Sequence, residues 1–180
     1  MPFNSSKPLI AVIGGICSGK SAAAREFEKL GCGRVDADKI VHNLLDKDDI
    51  KQEIVDEFGD SVIGGNGRIN RSKLARKAFS GTGSIKKLNN ILHPEVLRRS
   101  EQLIADYNKN PEIKAVVLDI PLLVEAGWDK WCDKVVFVHC DLQKRLERAS
   151  ETGEMEPEQL KIREKFQISL DKKAKLSDNT

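Results

Sequence analysis

A run of eight residues limits what this chain can fold into more than anything else in it. Gly14-Gly15-Ile16-Cys17-Ser18-Gly19-Lys20-Ser21 spells a complete G-x4-G-K-[ST] signature. Residues 9–13 (LIAVI) precede it, an unbroken apolar run of the kind that forms a strand buried on both faces of a parallel sheet. Residues 20–30 (KSAAAREFEKL) follow it, rich in strong helix formers and closed by Gly31. Strand, glycine loop and helix in that order make an anion site. The glycines let the backbone wrap a phosphate, and the loop amides and the positive end of the helix stabilise its charge. In such a loop Lys20 reaches the β- and γ-phosphates of a nucleoside triphosphate, and the Ser21 hydroxyl ligates Mg²⁺. The competing reading is a glycine turn before a helix that happens to carry a surface lysine.

Further strands are expected at residues 33–36, 115–118 and 135–138, the last two β-branched and separated from the others by helical stretches. That alternation predicts an α/β fold with a parallel sheet. Between Asp38 and about Pro111 no strand signal occurs. Apolar residues recur there at helical spacing: Ile50, Ile54, Val55 and Phe58, then Leu74, Ala75, Ala78 and Phe79, then Leu97, Ile104 and Ala105. GGNG at 64–67 and GTG at 81–83 read as loops between these helices. The predicted division is a core of residues 1–40, 112–140 and 169–180, a helical insert over 41–111 and a helical lid over 141–168. Residues 141–175 carry nine Lys/Arg and eight Asp/Glu, a mixed-charge surface rather than a basic arm. A turn around Gly153 and a second lid helix opening near Pro157 are expected within it.

Composition narrows the class. In 180 residues, 39% are hydrophobic and 32% charged, enough for a packed core and too apolar for a disordered tail. A net charge of +2 supplies no electrostatic argument for a nucleic-acid partner. No apolar run approaches the roughly 18 residues that span a bilayer. The start, MPFNSSKPLI, predicts no secretory signal. Cys17, Cys32, Cys132 and Cys140 show neither CxxC spacing nor disulfide-scaffold density. A cytoplasmic enzyme with reduced thiols is the expectation.

A phosphate-binding loop serves kinases, GTPases and motor ATPases alike. A GTPase needs NKxD, but the Asn-Lys at Asn108-Lys109 continues as Asn110-Pro111. Asp36-Ala37-Asp38 follows the second strand, where ligands of open parallel sheets sit. A carboxylate there either accepts the proton of an acceptor hydroxyl or caps the next helix. Asp119, after the third strand, is either a residue of the Mg²⁺ shell or another cap.

Six segments together resemble the dephospho-CoA kinase family: GGICSGKS at 14–21, VDAD at 35–38, INRSKL at 69–74, LNNILHP at 88–94, DIPLLVEAGW at 119–128 and FVHCDLQKRLERAS at 137–150. LHP and PLLVE discriminate most, because other nucleotide kinases lack them in this arrangement. The resemblance implies a P-loop kinase fold: a parallel sheet flanked by helices, with a helical substrate-binding insert and a helical lid. It implies Mg·ATP bound at residues 14–21 and transfer of phosphate to the ribose 3′-hydroxyl of dephospho-CoA, the last step of coenzyme A biosynthesis. It places the catalytic base on Asp38, the phosphate lysine on Lys20 and a lid arginine that neutralises the transferring group on Arg148. Arg163, followed by Gln167, falls at a position that holds nucleotide phosphate. His93, with Pro94, and the loop Pro121-Leu122-Leu123 fall where the acceptor pocket is shaped; His93 read alone is equally a buried, hydrogen-bonded histidine before a helix. His42 and His139 receive no role. Trp128 and Trp131 are read as packing anchors. A monomer or weak homo-oligomer without nucleic-acid or membrane partners completes the expectation. The two competing functions are a kinase of another small acceptor and a nucleotide-dependent switch.

Three departures from the family pattern stand out. Cys17 occupies a loop position that is often glycine, and a thiol beside a helix N-terminus favours the thiolate, which predicts oxidation-sensitive activity. Thr152 stands where many members carry another lid arginine, leaving more of the charge stabilisation to Arg148. Lys173 and Ser177-Asp178 match the segment before the family's last core strand and its base-contacting Asn-x-Gly loop, and Asn179-Thr180 follow. The expectation is that this strand and loop belong to the protein beyond the sequence read.

Overall fold

In a computed structural model that describes residues 3–152 and 156–180, the LIAVI run forms β1 (Leu9–Gly14). The other expected strands follow as β2 (Cys32–Asp36), β3 (Ala115–Asp119) and β4 (Lys134–Val138). They make one sheet in the order β2-β3-β1-β4, with every pairing parallel. Ala11 lies opposite Leu118 on one side and Val135 on the other, which puts β1 in the interior of the sheet. β3 is buried along its whole length, which its sequence AVVLD can satisfy until the final carboxylate. Helix α1 (Lys20–Lys29) returns along the sheet, and Ala24 packs with Val12 and Val117, flanked by Phe27. Beside β4, Asn179 forms a parallel bridge to Val136, and its carbonyl accepts the Phe137 N–H at 2.8 Å.

The chain divides into two compact units, one of Met1–Asp36 with Glu101–Thr180 and one of Ala37–Ser100. The first holds the sheet, α1, α6 (Leu142–Thr152), α7 (Pro157–Glu164) and α8 (Leu170–Lys175). The turn expected at Gly153 lies outside the described residues, as does the Thr152 side chain. Phe3 meets Trp128 and Trp131 edge-on, with ring centroids 5.6 and 5.8 Å apart, so both tryptophans act as packing anchors. None of the four cysteines is in a disulfide. Burial, with Asp129 and Asp133 adding to it, pushes the Cys132 thiol up to about 12.

The second unit holds α2 (Ala37–Leu44), α3 (Asp48–Phe58), α4 (Arg71–Ala78) and the start of α5 (Thr82–Lys109). Its core comprises Leu45, Ile50, Ile54, Phe58, Val62, Ile69, Leu74 and Leu92, with Val55 packed against it; of the residues seen at helical spacing, Ile50, Ile54, Val55, Phe58 and Leu74 contribute. GGNG forms a turn, closed by the Gly64 N–H on the Arg68 carbonyl and a bridge between Ile63 and Ile69. GTG differs from expectation, because Thr82 and Gly83 already belong to α5. That helix also runs through Pro94, so His93 stands inside a helix and not before one. Local preference disfavours helix at a residue before proline, but Leu92, Val96 and Ser100 are buried along one face of α5. Their burial outweighs the hydrogen bond that Pro94 cannot give. Among the described residues no helix is long and apolar enough to cross a membrane.

Candidate active site

The phosphate loop connects the carboxyl end of β1 to the first turn of α1, and its shape follows from its sequence. Gly14 has φ 155°, and a Cβ there would come within 2.7 Å of the Val138 carbonyl, so only glycine lets the loop leave the sheet so close to β4. At Gly15 a Cβ would meet an Arg145 nitrogen at 2.9 Å. Cys17 takes φ 59°, the left-handed region that a side chain rarely adopts. The Ser18 N–H closes a turn on the Gly15 carbonyl at 3.2 Å. Lys20 folds back so that its Nζ donates to the same carbonyl at 2.7 Å. The Ser18 Oγ is buried inside this loop and has no hydrogen-bond partner among the described residues. An unsatisfied hydroxyl at that depth is a donor awaiting an anion oxygen, and it fits a phosphate-bearing ligand.

Two arginines of α6 converge on the loop. Arg148, expected from the sequence, donates through NH1 to the Ser18 carbonyl at 2.9 Å and the Cys17 carbonyl at 3.3 Å, with the Cys140 sulfur at 3.5 Å. Arg145 was not anticipated. Only 3% exposed, it donates to the carbonyls of Cys140 and Ile16 and pairs closely with Glu164 at the end of α7. Its signal was present in the sequence: Arg145 and Arg148 are three residues apart and therefore share a helix face. Arg163 lies next to Glu164 on α7, half-buried. Gln167, which follows, accepts through its side-chain oxygen from the Lys173 Nζ at 2.9 Å.

A second cluster occupies the ends of β2 and β3. Asp36 and Asp119 are register partners, and Arg34 bridges them, 2.8 Å from the Asp36 carboxylate and 2.6 Å from that of Asp119. Burial alone would lower the Arg34 pKa, but the hydrogen bond to Asp119 and the charges of Asp36, Asp119 and Glu28 outweigh it and raise the value. The guanidinium is therefore a permanent cation that neutralises two carboxylates at the carboxyl edge of the sheet. Arg34 also went unrecognised, although period-2 alternation along β2 puts it on the face of Asp36.

The loop after β3 begins with Pro121 and Leu122, both half-buried, while Leu123 is fully buried and its carbonyl receives the Trp128 N–H at 2.9 Å. Leu123 thus anchors the loop from beneath. Glu125 extends from it to the segment after α7, accepting from the Ile168 N–H and from Lys173, each at 3.0 Å.

Asp38 and His93 lie in the helical unit. Asp38 stands exposed in the first turn of α2, immediately after β2, where a carboxylate is favoured by the helix dipole. His93 is half-buried on α5, and burial lowers its pKa, which keeps the imidazole neutral at physiological pH. The structure thus assembles Gly14–Ser21, Lys20 and Arg148 in one place, and sets Arg163, Pro121, Leu122 and Leu123 on other elements of the same unit.

Comparison with known proteins agrees with this architecture. The sequence profile of the dephospho-CoA kinase family matches residues 8–180. A dephospho-CoA kinase of Fusobacterium nucleatum is 34% identical over 94% of this chain and 86% of its own length. One of Symbiobacterium thermophilum is 36% identical over 94% and 71%. TT1252 from Thermus thermophilus superposes with a TM-score of 0.77 at 29% identity, covering 96% of this chain and 86% of that one. The dephospho-CoA kinase from Campylobacter jejuni gives 0.61 at 26%, covering 97% and 88%. With the family profile spanning nearly every residue and relatives this similar over most of their length, the chain belongs to the dephospho-CoA kinase family.

Proposed function

We propose that the chain transfers the γ-phosphoryl group of ATP to the ribose 3′-hydroxyl of dephospho-CoA, giving coenzyme A and ADP, with Asp38 as the base. The observation that carries the reading is the phosphate loop of residues 14–21 with Lys20 and Arg148 folded onto its carbonyls. Both cations stand within one side-chain movement of any phosphate that the loop amides hold. Asp38 accepts the proton of the 3′-hydroxyl as the oxygen attacks phosphorus in line and the bond to the β-phosphate oxygen breaks. Lys20 and Arg148 stabilise the charge spread over the transferring group. Ser21 would hold Mg²⁺, which would supply neutralisation of the nucleotide's phosphate charge. Arg163 serves as a further nucleotide-phosphate contact. His93, Pro121 and Leu122 shape the acceptor site, and Leu123 supports it. In this reading residues 41–111 act as the acceptor-binding insert and 141–168 as the lid. The protein works in the cytoplasm as a monomer or weak homo-oligomer, without nucleic acid.

The test is ADP formation from Mg·ATP with and without dephospho-CoA. Wild type shows strong dependence on dephospho-CoA and yields coenzyme A. Asp38→Asn lowers turnover by about 10²–10⁴-fold, and Arg148→Ala by about 10²–10³-fold. No stimulation by dephospho-CoA rejects the acceptor. Unchanged turnover in either variant rejects that residue's role.

A further inference from the structure

Within the segment 69–74 (INRSKL), the charge of Arg71 is not used by the segment's own folding. Ile69 and Leu74 are buried in the helical core. Asn70 caps α4, its side-chain oxygen accepting the Lys73 N–H at 3.0 Å. The approach to α4 is fixed by the Ile63–Ile69 bridge and by the Asn70 N–H on the Val62 carbonyl at 2.8 Å. Arg71 is exposed at the start of the helix that its neighbours secure, as are Ser72 and Lys73, the latter with its Nζ on the Ile63 carbonyl at 3.1 Å.

What holds Arg71 is unusual for a surface arginine. Its NH1 lies 2.9 Å from His42 Nδ1. A guanidinium only donates, so Nδ1 accepts and the imidazole carries its proton on Nε2. Among the described residues no carboxylate stands within ion-pair distance of Arg71. The charge is held in position by a neutral partner without being neutralised, which is the condition of a cation kept for an anion from outside. His42 is exposed on α2, four residues after Asp38. That spacing puts both on one helix face, just over one turn or about 6 Å apart along the axis. In a nucleotide the ribose 3′-hydroxyl and the 5′-phosphate are separated by a similar span.

We infer that Arg71, positioned by His42, binds the 5′-diphosphate of the acceptor while Asp38 takes its ribose 3′-hydroxyl. The inference rests on the reading of Asp38 as base and adds the group by which the acceptor is set in register with it. A guanidinium presents paired donors that match phosphate oxygens, and an acceptor lacking the diphosphate forfeits that contact. His42 acts on Arg71 and not on the substrate, so it is a positioning residue. It also explains why a histidine without a catalytic role stands one turn from the base.

Steady-state kinetics and calorimetric binding of dephospho-CoA separate the two readings. Arg71→Ala raises KM and Kd for dephospho-CoA about 10- to 100-fold and leaves KM for ATP at the wild-type value. His42→Leu raises KM for dephospho-CoA about 3- to 10-fold, and His42→Gln, whose amide oxygen can accept from Arg71, restores it. Arg71→Lys, which keeps the charge and loses the fork, falls between wild type and Arg71→Ala and serves if the alanine variant fails to fold. A wild-type KM for dephospho-CoA in Arg71→Ala, or an equal rise in KM for ATP, overturns the inference and leaves the base untouched. Unchanged kcat in Asp38→Asn overturns the base and the register built on it.

Discussion

Cys17 shows how one residue can hold a loop at a conformational cost. At φ 59° its Cβ crowds the backbone, a penalty of about 1–2 kcal/mol that glycine would not incur. Glycine, however, loses about 0.4–1 kcal/mol more conformational freedom on folding. The two nearly cancel, so Cys17→Gly should change unfolding free energy by less than about 1 kcal/mol and keep KM for ATP. Cys17→Val should cost about 1–3 kcal/mol, because a β-branched side chain fits the left-handed region worst. It should also raise KM for ATP, since the Cys17 carbonyl is one of the two that Arg148 engages. Urea denaturation and ATP kinetics on the two variants check both statements. A valine variant as stable as wild type would refute the strain. Much of this site was legible residue by residue, since a phosphate loop is a local motif whose glycines, lysine and hydroxyl act through neighbours in the chain. For Arg34 and Arg145 the local spacing gives only the face each shares with Asp36 or Arg148, and not the burial against other elements that makes them matter.

The joints between elements depend on a few buried charges. Lys173 of α8 is 1% exposed, with Glu125 from the loop after β3 at 3.0 Å and Gln167 from the segment after α7 at 2.9 Å. Removing one partner strands the other charge out of water. Glu125→Leu should therefore destabilise the protein by about 3–5 kcal/mol. Adding Lys173→Met should recover most of the loss, because an apolar pair needs no desolvation offset. Urea unfolding of the two variants decides, and a double variant no more stable than Glu125→Leu would refute the pairing. Such a joint draws on residues 48 positions apart, which no periodicity reveals. Strands were legible because β-branched apolar runs mark them directly. The passage of α5 through Pro94 was not, because the decisive term is the burial of Leu92, Val96 and Ser100.

At the level of the whole molecule, the alternation of apolar strands with helices made the parallel sheet legible, since parallel neighbours need crossovers. Strand order was not, because hydrophobic runs do not say which run lies beside which. That order has a consequence for synthesis. β1 pairs with β3 and β4, β2 pairs with β3, and no named strand finds a partner until Ala115 has been made. By contrast, residues 37–100 enclose a core drawn wholly from within themselves. Contacts between distant positions form late because the loop between them must close first. Chains stalled on the ribosome before β3 emerges should resist protease over residues 37–100 while remaining cleavable around Gly14–Ser21, and protection of that loop should appear only after Val138 is exposed. Early protection of the loop would refute this order. The glycine loop of residues 14–21 is thus translated well before the strands that hold it and is among the last parts to take shape, leaving the growing polypeptide with an apolar strand in need of shelter until β3 and β4 emerge.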